Sequence, residues 1–577
     1  MSTSERDEFS RRDFLQLGWT VAAGVAVPTV LQGCLGSGDD GSIALPDETF
    51  VEPPTFDSVN GRLDLTLALA YLATKLDGKA VTLRSMFGSI PAPTLRVNAG
   101  DTLRIRLVNQ LPANPPSTEP AKHLRYPNST NLHMHGIHVT PGLVSPGVYG
   151  DYVMDDPSLG VQPGESRQHE YQIRVDHPPG AYWYHPHLHG ATAMQIGSGM
   201  AGALLIKGAI DRVPEIAAAR ERVFVFQCPI SNASGVLESF SQVSDNPSNE
   251  PAFLINGVRR PRLYMRRGEV QNWHFVNAAI FKYLNLSLDD HVLNVYSLDG
   301  NTRSQMKPVA AVPPGSTQLQ EGVVLAPANR ASVLVQAGAP GVHYLRTSRF
   351  QIGAAGAILD EDIVAEVEVL DEAQPMALPT GPLPVPAMLA PITDAELASA
   401  GGLKRTIVLN AVFNQPLTQG GPNPPITDPP ANAVVHPGDE IEDWVYQTDN
   451  TTLANKVFAI GTASTQASTH PITPNEYIPF QSSRALKQIV ALGSVEEWLI
   501  LNLNNIRHPF HIHINPCWVT KINGQAIEPY WTDTIALPSN GSVTFRTRFK
   551  DFTGSFVMHC HMLAHEDMGM MQTIEVI

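Results

Sequence analysis

The sequence predicts an all-β protein made of three β-sandwich blocks, and three observations carry that expectation. Charged residues form only 16 % of the 577-residue chain, while Pro (48) and Gly (44) are abundant. That mix suits short strands joined by turns better than long surface helices. Apolar residues recur at every second position in 63–67, 103–108, 223–226 and 332–335, the period of half-buried strands in antiparallel sandwiches. Two breaks in the pattern, at 210–219 and over the Pro- and Ala-rich stretch 371–400, read as boundaries between blocks.

In chain order, residues 1–34 read as a targeting segment, to be set apart from the fold. Ser10-Arg11-Arg12-Asp13-Phe14-Leu15-Gln16 resembles the twin-arginine export signature. The mildly apolar stretch 17–31 behind it is too short and too Gly-rich for a comfortable membrane span. It ends in Leu31-Gln32-Gly33-Cys34, similar to a lipoprotein cleavage box, which implies a lipid anchor on Cys34. The plainer alternative is a cleaved signal with Cys34 incidental. Residues 35–44 follow as a flexible tether, then a first sandwich at 45–210, a second at 215–370, a linker at 371–401 and a third sandwich at 402–577. The expected location is the periplasm or the cell surface. A formal charge of −16 argues against nucleic acid as a partner, and four Cys are too few for a disulfide-built scaffold. Cys228 and Cys517 either pair in an oxidising compartment or remain two separate buried thiols.

The chemistry concentrates in four short segments of the first and third blocks. Ten of the 20 His fall in His133-Met134-His135, His185-Pro186-His187, His508-Pro509-Phe510-His511-Ile512-His513 and His559-Cys560-His561, with His565 just after. One His-X-His on a strand sets two imidazoles on one face and is weak alone. Two pairs suggest zinc as readily as copper. Four pairs divided between the two ends of the chain demand a cavity shared by the first and last blocks. Cys560, His565 and Met570 follow one another at five-residue intervals. With His508 they make a thiolate, two imidazoles and a weak thioether, the donor set of a blue-copper electron-transfer site. Zinc gains nothing from the Met, so copper is the expected ion.

Strand alternation then predicts the mechanism: Cys560 faces one way, His559 and His561 the other. Coppers on the two faces are joined by a few covalent bonds, over a distance on the order of 10 Å. Such a path makes sense when single electrons feed an acceptor that needs several. Dioxygen is the expected acceptor, and a small reducing substrate the second partner.

All four segments resemble those of the laccase-type multicopper oxidases. The likeness extends to Leu254-Ile255-Asn256-Gly257, Trp273-His274-Phe275-Val276-Asn277, Glu497-Trp498 and Trp531-Thr532-Asp533-Thr534. The resemblance implies three cupredoxin-like Greek-key β-sandwich domains, with a trinuclear cluster between the first and third. It implies four copper ions per chain. Type 1 copper falls on His508, Cys560, His565 and axial Met570, and type 2 on His133 and His511. The type 3 pair falls on His135, His185 and His561, and on His187, His513 and His559. The implied reaction is one-electron oxidation of phenols, aromatic amines or low-valent metal ions, coupled to reduction of dioxygen to water. A Met axial ligand implies a modest type 1 potential. Donors are expected to approach an exposed His508, and a monomer is expected.

Water formation needs protons at a buried cluster. Glu566 is implied by the resemblance as a relay, and Asp151 is the candidate second acid. Each has a plainer reading, Glu566 as a surface charge and Asp151 as a turn residue. His123, His138, His177 and His189 read as hydrogen-bonded structural residues, and Trp183 and Trp518 as core. Two other functions fit part of the pattern. A copper nitrite reductase shares the Cys-His-His-Met site but leaves His185, His187 and His513 without purpose. A copper-free cell-envelope assembly protein of the same fold predicts missing ligands, and none is missing.

Overall fold

The computed structural model describes residues 49–116, 126–154, 160–243, 250–353, 357–413, 456–462, 480 and 487–577. The export signature, the Cys34 motif, the 35–44 tether and His123 lie outside the described residues. Among those described, the strands form six large sheets and one two-stranded ribbon, Phe350–Gln351 with Ile358–Leu359.

In the first block a six-stranded sheet runs Lys79–Met86, Arg62–Leu76, Thr102–Asn109, Ser166–Gln172, Val148–Tyr149, Leu143–Ser145. Its five-stranded partner runs Thr55–Asp57, Ala92–Asn98, Gly202–Lys207, Gly180–His185, His133–His135. The second and third blocks repeat this six-plus-five plan. In the third, the five-stranded sheet runs Lys487–Val490, Met571–Val576, Gly554–Cys560, His508–Ile512, Thr534–Leu537.

Strand alternation is plain in Thr102–Asn109, where Leu103, Ile105 and Leu107 are buried and Arg104 and Arg106 are not. Each block packs the inner faces of its two sheets into one apolar cluster. Leu103 and Ile105 meet Leu95 and Leu204 in the first, and Trp273 and Val333 meet Leu286 and Val367 in the second. The third cluster joins Trp498 and Phe545 to Phe510 and Phe556. It also continues into Trp183 of the first block and Phe281 of the second, so the block interfaces are core-like.

The sheets are mixed rather than wholly antiparallel. Arg62–Leu76 pairs parallel with Thr102–Asn109, Arg220–Gln227 with Val270–Asn277, and Lys404–Phe413 with Ser494–Asn502. A Greek-key path returns the chain beside a strand that is not its neighbour in sequence, which periodicity cannot reveal. Cys228 and Cys517 are both free and buried, because they belong to the apolar clusters of different blocks. The stretch 371–401 is anchored rather than loose. Leu389, Ile392 and Leu397 pack with Val495 and Trp531, and Arg548 pairs with Glu396 at 2.7 Å. No helix among the described residues is long and apolar enough to cross a membrane.

Candidate metal centre

Strand ends bring the four His-rich segments together. His133–His135 pairs antiparallel with Gly180–His185, setting His133 opposite His185. His508–Ile512 pairs with Gly554–Cys560, setting His511 opposite His559. The two sets then meet face to face between blocks, with the rings of His133 and His513 stacked at 4.1 Å and those of His135 and His511 at 3.9 Å.

The donor atoms fall into tight groups, each within 4.8 Å: His135 with His185 and His561, His187 with His513 and His559, and His133 with His511 and His135. In the second triad, His559 Nε2 lies 3.1 Å from His187 Nε2 and 3.2 Å from His513 Nε2. The structure therefore gathers the residues named from sequence into the same sets, with His135 close to two of them.

The donor chemistry fits a metal. His133 Nε2, His185 Nε2, His511 Nε2, His135 Nδ1 and both ring nitrogens of His561 are buried with no hydrogen-bond partner. An unpaired buried polar atom costs about 1–3 kcal/mol, so several converging on one space mark a ligand's place. Burial, reinforced by neighbouring imidazoles, holds the rings neutral: His133 and His561 fall well below the ordinary range, and burial takes His187 to about 3 and His511 to about 4. The opposite ring nitrogens are tied down. His133 Nδ1 sits 2.9 Å from Asp151 Oδ2, while Nδ1–H of His185 donates to Pro186 O at 2.8 Å and that of His511 to Asp533 O at 2.8 Å. The carbonyl acceptors of His185 and His511 select the Nδ1–H tautomer and leave an Nε2 lone pair facing inward.

The sulfur site lies on the other face of the same strand. Gly554–Cys560 ends at Cys560, and His561 stays tethered by its N–H to Pro509 O at 2.6 Å. A short helix, Leu563–Asp567, turns His565 back towards the thiol. His508 Nδ1 is 3.2 Å and His565 Nδ1 3.7 Å from Cys560 Sγ. Met570 closes the loop through its backbone, its carbonyl accepting from Cys560 N at 3.0 Å and its N–H donating to His565 O at 2.8 Å. Burial pushes the Cys560 thiol up, a penalty on the thiolate that a bound cation offsets.

The expected exposure of His508 is corrected: the side chain is fully buried. The ribbon from the second block lies against the preceding segment, with Arg507 N donating to Ile352 O at 2.6 Å and the Arg507 guanidinium 4.9 Å from the Phe350 ring. A ribbon from another block thus packs on the residue next to His508, which the local motif cannot foretell.

Both expected acids are buried beside ligand candidates. Asp151 accepts from Met134 N at 2.9 Å, contacts His133 Nδ1, and is raised to about 8 by burial. Glu566 accepts from Thr192 Oγ1 at 3.1 Å and lies 3.4 Å from His187 Nδ1 and 3.5 Å from His559 Nδ1. Burial, then the charge of Asp567, raises it well above the carboxylate range. Asp567 escaped the sequence reading although it follows Glu566 directly. It accepts from Gly190 N at 2.6 Å and Ala193 N at 2.8 Å, locking the helix Thr192–Gly197 of the first block to the third. His138 and His177 are hydrogen-bonded structural residues, His138 N donating to His177 Nε2 at 2.9 Å. Trp183 is core, Trp518 is half-buried, and His189 packs on Phe480 at 5.0 Å.

Three family models, each described as multicopper oxidase, match residues 122–210, 231–362 and 453–577. The chain belongs to the multicopper oxidase family. A multicopper oxidase of Staphylococcus haemolyticus is 22 % identical over 494 residues, covering 85 % of this chain and 83 % of its own length. Laccase-2 of Botryotinia fuckeliana is 23 % identical over 541 residues, covering 86 % and 79 %. Among solved structures, a Campylobacter jejuni multicopper oxidase described as a metallo-oxidase matches with a TM-score of 0.64 at 21 % identity, over 92 % of this chain and 96 % of that one. At that identity the likeness speaks for the fold. Membership in the multicopper oxidases makes copper the ion that suits these clusters, and dioxygen and a reducing substrate the family's reactants.

Proposed function

We propose that this chain is an exported, laccase-like multicopper oxidase with four coppers. Single electrons from a phenol, an aromatic amine or a low-valent metal ion enter at a type 1 site on His508, Cys560, His565 and Met570. Dioxygen becomes water at a trinuclear site on His133, His135, His185, His187, His511, His513, His559 and His561.

The observation that carries this reading is the adjacency of Cys560 and His559 at the end of one strand, one in the sulfur pocket and the other in an imidazole triad. Copper bound there supplies one-electron exchange on the sulfur side and multi-electron dioxygen chemistry on the imidazole side. The polypeptide supplies the connection and the protons. One peptide unit separates the two side chains, and His559 Nδ1–H donates to Cys560 O at 3.1 Å, a shorter route across the same unit. Asp151 sits behind His133, and Glu566 behind His187 and His559, each against the Nδ1 side of the rings as a proton reserve for the cluster. Because His508 is buried, a donor delivers its electron through the protein surface over the site rather than onto an exposed imidazole edge.

The test is oxygen consumption by copper-loaded protein with a phenol, an aromatic diamine, Cu(I), Fe(II) and Mn(II), beside a Cys560→Ser control. Uptake with at least one donor, lost in the control, supports the reading; full uptake without Cys560 overturns it. Export and a Cys34 anchor belong to the same proposal: fatty-acid labelling should mark the wild type and not Cys34→Ala. Action as a monomer is checked by sedimentation velocity.

A further inference from the structure

We infer that Arg330, from the second block, which bears none of the ligand candidates, is a positioning residue that sets which ring nitrogens of His135 and His511 face the trinuclear space. The inference rests on the oxidase reading above.

Arg330 is fully buried where the three blocks meet. Its guanidinium grips Asp533 with both prongs, Nη1 to Oδ1 at 2.8 Å and Nη2 to Oδ2 at 2.6 Å, and its Nε donates to Ala181 O of the first block at 3.3 Å. A planar fork on a carboxylate fixes orientation as well as distance. Asp299, also of the second block, holds the adjoining backbone: its Oδ2 accepts from Asp533 N at 3.3 Å and Thr534 N at 3.4 Å, and from the hydroxyl of Thr532. Asn329 Nδ2 donates to Thr534 O at 2.9 Å.

This clamped segment reads the two histidines differently. The His135 Nε2–H faces Asp533 Oδ1 and Thr534 Oγ1, both at 3.3 Å, which leaves Nδ1 as the free lone pair. The His511 Nδ1–H faces Asp533 O at 2.8 Å and Thr534 Oγ1 at 3.2 Å, which leaves Nε2 free. The Thr534 hydroxyl donates to Asp533 Oδ1 at 2.9 Å, so it can only accept from the imidazoles. Gly136 makes room for the clamp: a Cβ there would stand 2.3 Å from Arg330 Nη2 and 2.3 Å from Asp533 Oδ2.

The experiment compares copper content, the blue absorbance and the paramagnetic resonance of type 2 copper in copper-loaded wild type, Arg330→Met and Arg330→Lys. Arg330→Met should lower copper affinity at the imidazole cluster on the order of 10- to 100-fold and alter the type 2 resonance, while blue absorbance per chain stays. Arg330→Lys, with the charge but not the fork, should fall between. A role in holding the blocks together alone would weaken both copper sites alike. If Arg330→Met does not fold, Thr534→Val, which removes the hydroxyl that accepts from both imidazoles and donates to Asp533, should still change the type 2 resonance with the blue band kept. Full cluster occupancy and an unchanged resonance in the folded variant overturn the inference and leave the oxidase reading standing. A wild type that binds no copper overturns both.

Discussion

Around Cys560 the neighbours are Met562, Leu563, the Phe281 ring against His565, and two imidazoles aimed at the sulfur. One residue earlier, His559 joins a cluster of further imidazoles edged by Asp151, Glu566 and Asp533. Both surroundings are buried, yet one is apolar and the other is lined with ionisable groups. The contrast matches two kinds of transfer. An electron alone moves best where the surroundings are apolar and the dielectric is low, whereas reducing oxygen to water consumes a proton with each electron and needs acids at hand.

The largest test is to delete one face and keep the other. Cys560→Ser should reduce donor-driven oxygen uptake to background, while copper content falls by one per chain and the type 2 resonance persists. Loss of all copper would show that the faces do not form independently.

Next come the acids. Glu566→Gln and Asp151→Asn should each slow turnover by about 10²–10⁴-fold. Anaerobic reduction of the blue site by donor, followed by stopped-flow absorbance, should keep its wild-type rate. Equal slowing of both steps would erase the division between faces.

Acid should destabilise the metal-free protein through the imidazole face. The unfolded chain takes up protons near 6.5 that the folded chain refuses until about 4 at His511 and about 3 at His187. That contribution is full above 6.5 and lost as pH falls towards 3. The buried acids act oppositely: the share of Asp151 is full below 3.8 and lost as pH rises through about 8, that of Asp567 is lost through about 7, and Glu566 is raised in the same direction. The imidazoles outnumber these acids, so melting temperature should drop steeply on acidification from 6.5 to 4. A flat profile in thermal melts would contradict neutral buried rings. The smallest effect is expected from Met570→Leu, which should keep the blue band and raise the type 1 potential, with turnover changed only a few-fold on an easily oxidised donor.

The ligand sets were legible because their spacing carries the geometry: i and i+2 on a strand share a face, and the loop from Cys560 to Met570 closes within eleven residues of continuous chain. The strand at 103–108 was legible for the same reason and is half-buried, whereas 332–335 lies in a strand buried on both faces from Arg330 to Val335. Asp151 was reached as a candidate acid, but its contact with His133 spans 18 residues and depends on how the intervening loop folds. Arg330 gave no local sign. It lies 203 residues from Asp533, in a block without ligands, and matters only because three blocks converge there.

The chain's order of residues thus determined the donor types, their pairing on strand faces and the back-to-back placing of Cys560 and His559, all consequences of local backbone period. Tertiary structure alone decided what closes around them. The Phe350–Gln351 ribbon packs on Arg507 beside His508, Asp567 locks the helix Thr192–Gly197, and Arg330 orients Asp533. These contacts join segments far apart in sequence, and their burial follows from how whole sandwiches pack rather than from any local pattern.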